Sequence, residues 1–277
     1  MPRIICLCLL SFCLLTTVSG QNLPFEIKVE DLNLHENSRD MDIRFMNDRM
    51  YVRTSLNCLY SGSLDGKNLK QLECDPRENY HFIFNDGPGF FRKGRERQDG
   101  KYPLYFYDAE DNRREAFVSD RPIQHTVFLP SGHLLFLTDN KIYRVDAQGE
   151  NPTELIEFDG GRLYPTVAVL GDVALFYVGE GDLYISDGTV EGTFQAGTGL
   201  GRWYVDGASR SADHVYIENV DNSTLWDVHL RRNGYAEKIW DPEKMGSEGD
   251  RVRDHFTVND KLLITIYEPA VRLIHLY

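Results

Sequence analysis

Apolar and polar residues alternate along most of this chain in short runs. "HLLFLTDN" precedes "KIYRVDAQGEN", and "VALFYVGEG" precedes "DLYISDGTVEG". The runs are rich in β-branched and aromatic residues, keep a period of two and stop at Gly, Asp or Asn, which argues antiparallel strands. No stretch keeps a long amphipathic helical period. The order of runs also recurs. An aliphatic–aromatic pair marks each copy: Leu59-Tyr60, Leu104-Tyr105, Ile142-Tyr143, Leu183-Tyr184 and Leu225-Trp226, with a degenerate sixth at Leu273-Ile274. The second members are 45, 38, 41, 42 and 48 residues apart. Every pair follows a hydrophobic run and precedes a polar turn.

The third unit shows the content of a copy: "HTVFLPSG", "HLLFLTDN", "KIYRVDAQGEN" and "PTELIEF". Four strand-like runs in roughly 40–45 residues predict an all-β fold, a six-bladed β-propeller of four-stranded antiparallel blades. A β-sandwich is the main rival, but it gives no reason for a long regular period. The last unit lacks an outermost run, while "PFEIKVEDLNL" near the start has no unit of its own. The expectation is that this N-terminal strand pairs beside the last strand, closing the ring and covering an open edge.

The first residues, "MPRIICLCLLSFCLLTTVSGQN", place Arg3 before an apolar run from Ile4 to Leu15, with Val18 and Gly20 at a cleavage-like site. This is the pattern of a secretory signal peptide over residues 1–20, which leaves 21–277 as a single propeller domain. The alternative, a membrane anchor, asks for about 20 apolar residues, more than this run supplies. The protein is therefore expected to be secreted and extracellular, with no membrane span. Cys6, Cys8 and Cys13 fall in the leader. Cys58 and Cys74 remain, symmetric about Gly66, and are expected to pair as a disulfide across a hairpin. "NST" at Asn222 is an N-glycosylation acceptor between two strand-like runs. Thirty Lys and Arg against 43 Asp and Glu give a formal net charge of −13, which argues against nucleic acid and anionic membrane as partners.

Two units carry a resemblance. "LYISDGTVEGT" is similar to the ELWxSDGTxxGT repeats of secreted bacterial and animal proteins. "KIYRVDAQGENPTEL" resembles the IYRxxxDG units of six-bladed propellers related to the low-density-lipoprotein-receptor class. The resemblance implies the fold far more than any activity. A Tyr-Trp-Thr-Asp string is absent.

No G-x-S-x-G, H-E-x-x-H, Walker or EF-hand pattern occurs. "GTGLG" at residues 197–201 reads as a blade connection, and "DAEDNRRE" at 108–115 as a solvated turn in preference to a calcium loop. "GPGFFRKGRERQDGKYP" at 87–103 is a mixed-charge hairpin tip or, more sharply, a partner-contacting loop. The starts of the innermost strands offer a better constellation. One aligned column reads Met41, His81, His125, Pro165, Asp206 and Asp254, with Arg121, Arg162, Arg202 and Arg251 shortly before it. A closed ring would bring these to one channel mouth. His81, His125, Asp206 and Asp254 could hold a metal or small polar ligand, and the Arg residues an anion. The bland alternative is that Arg and Asp pair with one another while the His residues donate to backbone carbonyls.

Two function classes follow. One is an extracellular binding module that holds a protein, glycan or small anionic ligand on one propeller face, as a monomer and without a cofactor. The other is a metal-dependent, calcium-type propeller hydrolase or lactonase, with the metal left open. The His- and Asp-based column, with its Pro and Met, fits the second less well than a Glu, Asp and Asn cluster would.

Overall fold

A computed structural model describes residues 42–54, 58–66, 68–74, 82–83, 87–159, 167–179, 181–201, 208–211, 213–219, 222–241, 252–258, 261–266 and 271–274. Those residues hold only strands, turns and links. The first sheet is β1 (Asp42–Met46), β2 (Arg49–Arg53), β3 (Cys58–Ser63) and β4 (Lys70–Cys74). The second is β5 (Phe82–Ile83), β6 (Gly89–Lys93), β7 (Tyr102–Asp108) and β8 (Arg113–Ser119). The third is β9 (Thr126–Phe128), β10 (Leu134–Leu137), β11 (Lys141–Val145) and β12 (Thr153–Glu157). The fourth is β13 (Val167–Leu170), β14 (Val173–Val178), β15 (Asp182–Ser186) and β16 (Thr193–Gly197). The fifth is β17 (Ala208–Ser211), β18 (His214–Asn219), β19 (Thr224–His229) and β20 (Ala236–Trp240). The last described sheet has three strands, β21 (Val252–Val258), β22 (Lys261–Ile266) and β23 (Val271–Ile274). Every sheet is an antiparallel meander in chain order.

The repeated pair has a structural meaning that its sequence did not announce. In the first five sheets the ladder between the third and fourth strands slips at that pair. Leu183 faces Gly197, but Tyr184 faces Gln195, so Ala196 is an extra residue on β16. The extra residue in the other four sheets is Leu72, Ala116, Leu155 or Ile239. A bulge of this kind bends the strand and increases its local twist. The aliphatic member is fully buried each time: Leu59, Leu104, Ile142, Leu183 and Leu225. The repeat therefore encodes a core side chain at the point where the outer strand is turned.

Core packing links each sheet to the next. β14, "VALFYV", shows how an unbroken apolar run serves two neighbours. Val173, Leu175 and Tyr177 join Val215, Ile217 and Val228 of the fifth sheet. The alternate residues Ala174, Phe176 and Val178 join Leu135, Leu137 and Ile142 of the third. Similar clusters join the first and second sheets through Tyr51 and Phe90, and the second and third through Phe106 and Phe136. Tyr216, Leu225 and Trp240 join the fifth sheet to Leu262 and Ile264 of the last. Each fully buried side chain of this size stabilises by roughly 1.5–3 kcal/mol. First strands of neighbouring sheets lie side by side, β9 by β13 and β17 by β21. Successive four-stranded meanders stacked face to face in this way make a propeller-type fold.

Turn chemistry fits the sequence. Asn47 and Asp48 both have positive φ, 50° and 57°, in the two-residue loop between β1 and β2, as a type I′ hairpin requires. Asp108 accepts from the backbone N–H groups of Glu110 and Asn112, and Asp146 does the same for Gln148 and Glu150. "DAEDNRRE" is thus a self-bonded turn. In the SDGTVEGT segment Asp187 accepts from both the N–H and the hydroxyl of Thr189, while Ser186 and Thr193 hydroxyls meet at 2.7 Å. That motif is a turn lock.

Candidate binding face and inter-sheet cavity

Antiparallel order puts the link from each fourth strand to the next sheet on the same face as the turn between second and third strands. We call this the upper face. It carries residues 94–101 between β6 and β7, Arg121 and His125 before β9, Asp139 between β10 and β11, and Asn222 between β18 and β19.

β6 delivers Lys93 to this face, where its ammonium donates to the Gln124 carbonyl at 2.8 Å. Gln124 Nε2 donates to Asp139 Oδ1 at 2.6 Å, and Arg121 Nε lies 3.9 Å from Asp139 Oδ2. The Arg121 side chain is 68% exposed, so this ion pair is loose and worth little. The His125 carbonyl accepts from the Leu137 N–H, extending the β9–β10 ladder upward. Burial, and then the neighbouring Lys93 charge, hold the His125 imidazole below its ordinary pKa. Burial also lowers Lys93. The 94–101 hairpin is braced by Gly94 N–H to Pro103 and Arg97 N–H to Lys101, both at 2.8 Å. Arg97 pairs with Glu115 and donates to the Tyr105 hydroxyl. Lys101 lies 3.6 Å from Asp120, with both side chains exposed.

Of the sequence-predicted mouth, the structure places Arg121 and His125 together on this face. Asp254 lies inside β21, at a register shift, and not before the strand. His81, Arg162, Arg202, Asp206 and Arg251 lie outside the described residues, as do the expected leader over residues 1–20 and the segment expected to form an N-terminal strand. Cys58 and Cys74 face each other across β3 and β4 and are joined as a disulfide. Asn222 is exposed, and its Oδ1 accepts from the Thr224 N–H and hydroxyl at 3.1 and 2.7 Å.

A second polar site was not legible in the sequence. Between the first two sheets a cavity of about 450 Å³ is bounded by Lys70, Glu73, Cys74, Arg92, Tyr107, Asp111 and Arg113, among others. Glu73 accepts from Arg113 at 2.8 Å and is also bonded to Arg92 and to the Tyr107 hydroxyl. Asp111, with 2% of its side chain exposed, pairs with Arg49 at 2.5 Å and accepts from the Tyr51 hydroxyl at 3.1 Å. Burial and the adjacent carboxylates push both tyrosines above their ordinary pKa. Bonding to Glu73 raises Arg113. The one sequence signal was Arg92 inside the apolar run "GFFRK".

No family model matches the chain, and no curated protein matches it. Among solved structures, BamB from Moraxella catarrhalis aligns at 9% identity over 81% of this chain and 66% of its own, with a TM-score of 0.40. A chain of a nidogen/laminin complex aligns at 13% identity over 76% and 83%, TM-score 0.39. A puromycin hydrolase aligns at 15% identity over 81% and 42%, TM-score 0.41. This chain thus spans just under two thirds of BamB and less than half of the hydrolase. Likeness at this level carries no argument about what the chain does. The fold rests on its own sheet order and packing.

Proposed function

We propose that the protein is an exported binding module that holds an anionic glycan on its upper face. The observation that carries this reading is the basic hairpin on that face. Residues 93–101, "KGRERQDGK", hold Lys93, Arg95, Arg97 and Lys101 against Glu96 and Asp99, in a chain of net charge −13. Arg121 and His125 stand beside it. The Lys101–Asp120 and Arg121–Asp139 pairs are exposed and weak, so sulfate or carboxylate groups of a glycan compete with them at small cost. Guanidinium forks then add bidentate geometry.

The same reading takes the chain as a six-bladed ring, residues 21–277, closed with the help of the N-terminal strand after removal of a leader over 1–20. Fully buried Met50 and Val52 on the face of the first sheet away from the second support closure, since another part of the chain must cover them. The exposed Asn222 turn supports glycan attachment at the rim of the same face. The test is binding to immobilised heparin. Full-length protein is expected to bind, more weakly as salt rises. The Lys101→Ala/Arg121→Ala variant is expected to bind about tenfold more weakly with its melting temperature unchanged. Absence of binding by the unaltered protein at low salt contradicts the reading.

A further inference from the structure

The cavity between the first two sheets lies apart from the upper-face residues invoked above, and its chemistry is one-sided. Its walls include three cationic side chains, Lys70, Arg92 and Arg113, and two acidic ones, Glu73 and Asp111. Both oxygens of both acids already accept hydrogen bonds. Glu73 takes Arg92 on one oxygen, and Arg113 and the Tyr107 hydroxyl on the other. Asp111 takes Arg49 and the Tyr51 hydroxyl, one on each oxygen. A cation entering here would find occupied carboxylates and net positive walls.

Donors are in excess instead. A guanidinium carries five N–H groups and an ammonium three. Arg113 gives one N–H to Glu73, is half exposed, and stacks over the Tyr105 ring at 4.9 Å, which fixes the plane of its fork. Lys70, at the start of β4, is exposed, and its ammonium makes no hydrogen bond or ion pair among the described residues. The Cys58–Cys74 bridge ties down the far end of that strand. The cavity, about 450 Å³, falls in the range of roughly 300–1,000 Å³ typical of small-molecule sites and far exceeds a bare ion.

We propose that this cavity binds a small polar molecule through one carboxylate or sulfate group, received by Arg113 and Lys70. The carboxylate would lie in the guanidinium plane, where two parallel N–H donors can reach it, with the Lys70 ammonium closing over it from β4. Titration calorimetry on the full chain tests this, with glucuronate and inorganic sulfate as probes and glucose and chloride as controls. Saturable heat is expected with at least one oxyanion and with neither control. Glucuronate alone marks a sugar acid as the ligand class, whereas sulfate alone marks a free anion. Lys70→Ala and Arg113→Gln are each expected to weaken binding about tenfold. Lys70 is exposed, so its loss leaves the fold intact even if Arg113→Gln disturbs Glu73. The same Lys70→Ala protein is expected to retain heparin binding, which separates this site from the upper face. Absence of saturable heat with both oxyanions, or unaltered affinity in both variants, overturns the proposal.

Discussion

Cys58 stands directly opposite Cys74 in the β3–β4 ladder, one position from the slip at Leu59–Tyr60. The bridge therefore clamps the outer strand of the first sheet beside its bulge. It closes a loop of 16 residues, for which the chain-entropy model gives about 3 kcal/mol of stabilisation. The Cys58→Ser/Cys74→Ser variant is expected to lose stability of that order in urea unfolding. Mass spectrometry of unreduced protein should recover the bridged peptides. Two free thiols in exported material would contradict the pairing.

The bulge makes a sharper demand. Ala196 is fully buried and is the extra residue of β16. Deleting it lets Thr193 to Gln195 keep their partners in a simple ladder, but removes a buried core residue together with the bend and extra twist that the bulge gives the strand. A large fall in the urea midpoint is expected. An Ala196→Ser substitution at the same site keeps the register and should cost much less. Equal effects would show that the bulge is not what the repeat protects.

Acid should weaken the fold below neutral pH. The His125 imidazole is lowered mainly by burial, with help from Lys93, and His133 is lowered by burial and Arg144. The unfolded chain takes up protons near the usual value of about 6.5. The folded chain resists until lower pH, so stability is full above that value and is lost as pH falls through the depressed folded values. His125→Gln should flatten part of this decline. An identical pH profile would remove His125 from the explanation.

Closure of the ring has a separate test. Deleting residues 23–33 should lower the single unfolding midpoint of the whole chain, because edge pairing is lost along a sheet. Met50→Ala should cost roughly 2–5 kcal/mol if its face is packed. An unchanged midpoint after the deletion would mean that the N-terminal strand does not close the ring.

The strands were legible because each carries its burial pattern locally. β14 shows this: a six-residue run apolar at every position and bounded by Gly and Asp turns reads as a strand packed on both faces, and it is one. The Leu-Tyr pairs were legible as a repeat but not as bulges, since the slip depends on a partner strand ten or more residues away. Of the column drawn at the starts of the innermost strands, His125 stands just before β9 and Asp254 is the third residue of β21, which starts at Val252. The cavity was hidden for a plainer reason. Glu73 meets Tyr107 and Arg113 across 34 and 40 residues of sequence, and no local pattern encodes that meeting.

Hydrogen exchange with and without a heparin hexasaccharide tests the binding face most directly. Slowed exchange is expected in residues 93–101, 119–125 and 138–140, which share the upper face. The turns at 64–69, 109–112 and 187–192, on the opposite face, should exchange as before. Protection confined to those lower turns, or protection nowhere, would contradict the assignment of the upper face as the surface that holds the ligand.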